Sequence, residues 1–299
     1  MTLRQLEYLV TIVDTGSFTR AAELLHVTQP ALSHQVRALE RATGGPLLER
    51  LPRSVRLTPM GRAMLPHARA TLAAAQKSVS AARQAAGLQC GEIMVATVYS
   101  LSLGVLPPVL KAWRRAHPGV HVRLFEHRHA GELAEAMAQG QADLAVGPEP
   151  SDWDGPVHPL GEEEFVVVVS PDDPAAGATR VRLADLADRE WVHYAPGNGL
   201  ADLLDQVCGA AGFQPRAAVR TEQTAAAPSL AAAGLGPALV PANVLPARFP
   251  GHLLRPDPPV RRAVTAYTRP AADPVTSAFT DLLRRKAILV PGHVERCLG

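Results

Sequence analysis

The sequence predicts an α/β protein headed by a small winged helix-turn-helix and a long helix. Three observations carry this reading: caps and an apolar stripe between Gly16 and Gly61, a heptad seam after Thr58-Pro59, and alternating β-rich and helical runs from Glu92 onward. Ser17 is placed to cap a helix over Phe18 to Leu25, and Ala21-Ala22 leaves room for a second helix to cross closely. Thr28 caps that second helix, and Pro30 sits in its first turn, where a missing backbone N–H costs nothing. The helix runs to about Ala42 before Gly44-Gly45 stops it.

Within it Leu32, Val36 and Leu39 recur at spacings of four and three, so one stripe faces a core shared with Leu6, Leu9, Val10 and Val13 of the preceding helix. The opposite stripe carries Gln29, Ser33, His34 and Arg37, side chains able to hydrogen-bond base edges or phosphates from the major groove. Arg50, Arg53 and Arg56 follow, flanking a Pro52-Arg53-Ser54 turn between short apolar strands, as in a basic wing that straddles the backbone. Caps, stripe and wing agree on a DNA-binding module.

Charge is distributed to match. Residues 1 to 90 hold 11 Arg or Lys against 5 Asp or Glu, a balance of +6, while the remainder holds 19 against 23, a balance of −4. A module drawn to phosphates is thus attached to a body that is not. The 299 residues, 47% of them hydrophobic and 19% charged, exclude disorder and allow two or three domains. The three cysteines, Cys90, Cys208 and Cys297, have neither framework nor zinc spacing, and Cys208 on its helix reads as a buried structural thiol. The N-terminus shows no signal-peptide core, and no run approaches the roughly 18 apolar residues of a membrane span, so no membrane partner and a cytoplasmic location are expected.

Thr58-Pro59 repeats the cap-plus-proline start, and the chain stays helix-favouring until Gly87. Leu65, Ala68, Leu72, Ala75, Val79, Ala82 and Ala86 form a heptad seam on a helix roughly 42 Å long, with Pro66 as a possible kink. A helix of that length outruns the small module, which predicts pairing with a second copy. Gly87 to Gly91 reads as a hinge.

Beyond the hinge, Ile93–Thr97, Val120–Glu126, Ala142–Gly147, Phe165–Val169, Trp191–Tyr194, Ala217–Thr221, Pro237–Val240 and Val264–Thr268 read as strands. Helices are predicted over Val105–His117, Gly131–Gln139, Gly199–Ala211 and Pro274–Ala287. In open α/β sheets ligand crevices form outside the carboxyl ends of strands. Tyr99-Ser100-Leu101-Ser102, Gly147-Pro148-Glu149, Pro196-Gly197-Asn198-Gly199 and Thr221-Glu222-Gln223-Thr224 occupy such ends. Tyr99, the hydroxyls and the backbone donors suit a small organic anion or aromatic acid, whereas Glu149 would favour a cation or a hydroxylated ligand.

Catalytic signatures are lacking: there is no Gly-x-Ser-x-Gly elbow, no phosphate-cradling Gly-x-x-x-x-Gly-Lys and no paired metal motif. His117, His121, His127 and His129 crowd one region without matching carboxylate or cysteine spacing and read as surface histidines, so no metal and no cofactor are expected. Glu162-Glu163-Glu164 reads as a solvated acidic turn.

Gln5-Leu6, Gly16-Ser17-Phe18-Thr19-Arg20-Ala21-Ala22, Thr28-Gln29-Pro30-Ala31-Leu32-Ser33, Leu39-Glu40 and Arg56-Leu57-Thr58-Pro59-Met60-Gly61 closely resemble LysR-type transcriptional regulators. Gly140 to Gly147 and Ala233 to Pro241 extend the resemblance more weakly toward the C-terminus. It implies a winged helix-turn-helix over 1–58, a dimerising linker helix and hinge over 59–90, and a two-subdomain effector domain like a periplasmic binding protein over 91–299. Subdomain I would comprise 91–163 and 267–299, and subdomain II 164–266. It further implies a homodimer or dimer of dimers on an interrupted palindromic operator, a small organic effector between the subdomains, and RNA polymerase as a candidate further partner. Gln29, Pro30, Ser33 and Arg37 match recognition-helix positions, and Arg50, Arg53 and Arg56 match the wing. His34 departs from the arginine common there and would read a base through one hydrogen bond instead of a fork. Ser100, Ser102, Pro148, Asn198 and Thr221 match cleft positions, beside Tyr99 and Leu101.

Overall fold

The computed structural model describes residues 1–51, 54–85 and 91–298, with backbone alone at Arg50, Leu51, Lys77 and 80–85. The chain forms two compact units, Met1–Gly91 with Ala136–Gln141, and Glu92–Glu135 with Ala142–Gly299.

In the first unit, α1 (Leu3–Thr15) opens with a reciprocal cap: the Thr2 hydroxyl accepts from the Gln5 amide and the Gln5 side chain accepts from the Thr2 amide. Gly16 ends it in the left-handed region, at φ +64°. α2 (Phe18–Leu24) is capped by Ser17 and α3 (Gln29–Thr43) by Thr28, and Gly44 at φ +87° stops α3. Leu6, Leu9, Ile12, Ala21, Ala22, Leu32, Val36 and Leu39 close the core. Tyr8 and Ile12 take the inward positions of α1, while Val10 and Val13, expected there, lie half-buried at the margin. The helix phase is set by Leu6 and Leu9, which leaves Ile12 three residues on as the next inward residue.

β1 (Leu48–Leu51) and β2 (Ser54–Leu57) form the antiparallel wing, with Glu49 opposite Arg56. Pro52 and Arg53, the expected tip, lie outside the described residues. The buried Thr58 hydroxyl donates to the Pro46 carbonyl at 2.7 Å and accepts from the Gly61 amide at 3.0 Å, fixing the wing to the start of α4 (Pro59–Ala85). Gly61 is required there, since a Cβ would sit 2.1 Å from the Leu47 carbonyl oxygen.

The heptad seam of α4 divides. Leu65 and Ala68 are buried and Leu72 packs on the core of the same unit, with Arg69 paired to Asp14 of α1. The seam therefore begins as an intramolecular contact, unlike the continuous pairing stripe the spacing suggested. Val79, further along, is 53% exposed. The Ala82 side chain and residues 86 to 90, with the expected hinge and Cys90, lie outside the described residues.

From Gly91 onward the elements are β3 (Gly91–Val98), α5 (Tyr99–Gly104), α6 (Leu106–Ala116), β4 (Val120–His127), α7 (Ala130–Ala138), whose last residues from Ala136 are counted with the first unit, β5 (Leu144–Pro148), β6 (Val157–Val169), β7 (Arg180–Val181), β8 (Glu190–Tyr194), α8 (Gly199–Ala210), β9 (Arg216–Thr221), α9 (Ala226–Ala232), β10 (Ala238–Pro241), β11 (His252–Pro256), β12 (Val260–Thr268), α10 (Pro274–Lys286) and α11 (Gly292–Leu298). The main sheet has the order β4-β3-β5-β12-β6-β11-β7, with β10 also on β6, and β8 and β9 form a separate parallel pair. The start of β6 pairs with β12 alone, whereas its end pairs with β10 and β11. Two lobes result, joined by the long strands β6 and β12. The first gathers β3, β5, α6 and α10, with Trp113 edge-on to Phe279 at 5.0 Å. The second buries Phe165–Val169, Trp191, Tyr194, Leu204 and Cys208.

Two expectations are corrected here. Glu162-Glu163-Glu164 belongs to the interior of β6, where Glu163 is 0% exposed and Glu164 6% exposed, because Arg262 and Arg261 stand opposite them on β12 and Arg255 reaches Glu164 from β11. The C-terminal segment also changes lobes: Val294 and Leu298 of α11 join the second lobe's core, and the His293 ring lies 2.9 Å from the Leu245 carbonyl. Residues 290–298 thus pack away from the lobe to which the resemblance assigned them.

Candidate functional site

On α3 the apolar side is taken by Leu32, Val36 and Leu39, and the opposite side presents Pro30, His34, Arg37 and Arg41, all exposed. Their spacing of four, three and four keeps them on one line along the helix. Among the described residues, His34, Arg37 and Arg41 enter no hydrogen bond or ion pair, so their donors are available to a ligand. Ser33 is different: it is 6% exposed, on the flank against the core, where its hydroxyl accepts from Gln29 Nε2 at 3.4 Å. Gln29 itself is half-buried. Arg41 was not singled out in the sequence, although its position four residues after Arg37 carried the signal.

In the wing, Arg56 Nε and Nη2 both donate to Glu49 Oε2, at 3.0 and 2.7 Å. Both side chains are well exposed, so the pair is a weak, exchangeable tether that orients the guanidinium. The side chain of Arg50 and all of Arg53 lie outside the described residues. Glu40 at the end of α3 accepts from the Leu47 and Leu48 amides at 3.0 and 3.3 Å, which fixes the wing relative to the exposed face of α3.

In the second unit a cavity of about 100 Å³ opens between the lobes. Tyr99 and Ser100 at the start of α5 line it, with Arg128, His129 and Ala130 after β4, Pro148 at the end of β5, Asn198 to Leu200 at the start of α8, Thr224 and Arg262. The first lobe's loop is strapped to the second lobe: the Gly199 amide donates to the Arg128 carbonyl at 3.0 Å, Arg128 pairs with Glu222 at 3.3 Å, and His129 Nε2 lies 3.2 Å from Asp202 Oδ2. Asn198 caps α8 by accepting from the Leu200 amide.

Of the residues expected at an effector site, Tyr99, Ser100, Pro148 and Asn198 line this cavity together. Leu101 points into the first lobe's core, fully buried. The Ser102 hydroxyl lies within hydrogen-bond reach of two acceptors, the Tyr99 carbonyl and the Glu126 carboxylate, and Ser102 is not in the cavity lining. Thr221 folds its hydroxyl into its own turn, accepting from the Gln223 amide at 3.2 Å, and Thr224 takes the lining position. Arg128, His129 and Arg262 were missed. The signal for Arg262 was a charged pair, Arg261-Arg262, at the head of an apolar strand. Of the crowded histidines, His117 stacks on Trp113 at 4.0 Å, His127 lies against Glu132, and only His129 reaches the cavity.

Residues 3–62 match the family model "Bacterial regulatory helix-turn-helix protein, lysR family", and residues 86–288 match "LysR substrate binding domain". The chain is 31% identical over 292 residues to the HTH-type transcriptional regulator IlvR of Caulobacter vibrioides, covering 95% of this chain and 97% of that one. It is 33% identical over 252 residues to a probable hydrogen peroxide-inducible genes activator of Mycobacterium avium, covering 82% and 79%. The crystal structure of full-length CbnR complexed with its target DNA superposes with a TM-score of 0.69 at 29% identity, over 96% of this chain and 100% of that one. Among the described residues no helix is long and apolar enough to cross a membrane. With both modules matched over most of its length, the chain belongs to the LysR family and is a DNA-binding transcriptional regulator, not an enzyme.

Proposed function

We propose that this regulator reads an interrupted palindrome as a dimer of dimers in the cytoplasm, and that a small molecule held between the lobes of residues 91–299 alters how the assembly holds its DNA. The observation that carries the reading half is the unpartnered line His34, Arg37 and Arg41 on a helix capped at both ends. Lying in the major groove, α3 would direct Arg37 to a base edge and Arg41 toward the flanking phosphates. Gln29 and Pro30 would border the contact, and the wing arginines Arg50, Arg53 and Arg56 would grip the backbone. Ser33, held at the core flank, would position Gln29 and not touch a base. Residues 59–90 would join two copies, and RNA polymerase would meet the bound assembly at the promoter.

The effector half is supported by a cavity that both lobes line and by straps across its mouth. A ligand that favours one lobe spacing shifts the population of that spacing, and through it the geometry of the dimer. Cys208 is poorly suited to the peroxide response that the name of the Mycobacterium avium relative implies. The reactive form in that chemistry is a thiolate, and Cys208 is fully buried with its thiol pushed up to about 12 by burial and by the nearby Asp205 carboxylate.

Footprinting on genomic fragments tests the reading. Two protected half-sites are expected, with affinity falling steeply as salt rises. Arg37→Ala should weaken operator binding more than about tenfold without disturbing the dimer. Arg41→Ala should reduce the salt slope by about one. Salt-insensitive or sequence-blind binding would falsify the proposal.

A further inference from the structure

We infer that the cavity takes a small organic anion, a carboxylate of a few heavy atoms, and that Arg262 both binds it and couples it to the strands joining the lobes. The inference rests on the effector reading above and gives the ligand its chemistry. Three groups that carry or can carry positive charge line the cavity, Arg128, His129 and Arg262, and among the described residues no carboxylate does. The Glu149 that spoke for a cation in the sequence is outside the lining.

The three are not equivalent. Arg128 and His129 sit at the rim, each about half exposed, and their carboxylate partners Glu222 and Asp202 are more exposed still, so solvent screens both pairs. Arg262 is inside, with 21% of its side chain exposed. Its Nε and Nη2 both rest on Glu163 Oε1, at 2.8 and 2.7 Å, and the guanidinium lies over the Phe165 ring at 5.3 Å. That arrangement fixes the plane of the fork and leaves Nη1 without a partner among the described residues. Ser100 and Thr224, each 3% exposed, line the same cavity, and neither hydroxyl makes a hydrogen bond among the described residues. A guanidinium N–H and two buried hydroxyls are donors suited to a carboxylate. The cavity, about 100 Å³, is on the scale of a small acid.

The coupling follows from what else Arg262 holds. Glu163 accepts from Asn243 Nδ2 at 3.0 Å through its second oxygen. The Asn243 backbone oxygen in turn sits so close to α5 that a Cβ at Gly104 would lie 2.1 Å from it. A path of direct contacts therefore leads from the cavity through Arg262, Glu163 and Asn243 to the helix that carries Ser100. An anion drawing on Arg262 weakens its hold on a wholly buried carboxylate, and the β6–β12 crossing must readjust.

The test is calorimetric titration of the full-length protein at constant ionic strength with acetate, glycolate and malonate, against neutral acetamide and cationic ethylammonium. At least one anion is expected to bind, and acetamide and ethylammonium are expected not to. The double variant Glu163→Gln with Arg262→Gln leaves no buried charge unpaired and should lose anion affinity by more than tenfold. Glu163→Gln alone frees the guanidinium and should tighten anion binding severalfold. Anion affinity retained in the double variant overturns the role of Arg262, and affinity unchanged by Glu163→Gln alone overturns the coupling. Binding of acetamide or ethylammonium in place of the anions overturns the ligand class while leaving the cavity an effector site. Silence from every probe overturns the ligand class and leaves the DNA-reading half, tested by footprinting, untouched.

Discussion

Arg262 and Glu163 face each other across β12 and β6, with two guanidinium nitrogens on a single carboxylate oxygen at 2.8 and 2.7 Å and the carboxylate sealed from solvent. Breaking such a pair from one side strands a buried charge. Arg262→Ala should therefore cost about 3–5 kcal/mol in denaturant unfolding, and the Glu163→Gln, Arg262→Gln double should restore most of it. A single variant as stable as the parent would show that water reaches Glu163.

Gly61 is where the wing meets the long helix. A methyl group there meets the Leu47 carbonyl oxygen at 2.1 Å, too close for relaxation without moving the wing. Gly61→Ala should lower stability by about 1–3 kcal/mol and weaken DNA binding, measured by thermal melting and gel shift. Unaltered DNA affinity in a folded variant would detach the wing from the contact surface.

Val79, on the distal part of α4, is more than half exposed in a single chain. A charge at this position should disfavour an apolar helix pairing. Val79→Asp is expected to shift sedimentation toward monomer at micromolar concentration and to abolish cooperative operator binding. An unchanged sedimentation coefficient would move the dimer contact elsewhere.

Alkaline stability follows from buried acids. Burial pushes the Cys208 thiol up to about 12 and raises the Tyr194 and Tyr267 phenols as well. A folded thiol that keeps its proton after the unfolded one has lost it stabilises fully below the unfolded value of about 8.5 and loses that contribution as pH rises toward 12. Melting temperature should thus hold steady to about pH 8.5 and then fall. Cys208→Ala should flatten the first part of the fall, and a curve identical to the parent's would remove the thiol from the account.

What could be read in the chain was whatever local chemistry decides. Ser17, Thr28 and Thr58 announced their helices because a cap is a contact between near neighbours, and Gly44 marked its stop for the same reason. Glu163 was misread because its partner lies 99 residues away, and three consecutive acids look solvated until their arginines are placed opposite. Leu101 and Thr221 fell at the right loops but on the wrong side of them, since a loop's position is set by strand ends while its side-chain directions are set by packing. Val294 and Leu298 changed lobes for a related reason: order along a chain is a poor guide to which core a terminal helix completes.

The two lobes share β6 and β12 along hydrogen-bonded length, with the register slipping between Val264 and Thr265. Their joint is accordingly a twisted ribbon and not a slack tether. Strands paired over that length resist being pulled apart more than being twisted, so an effector acting between the lobes as proposed would be registered there as a change of angle.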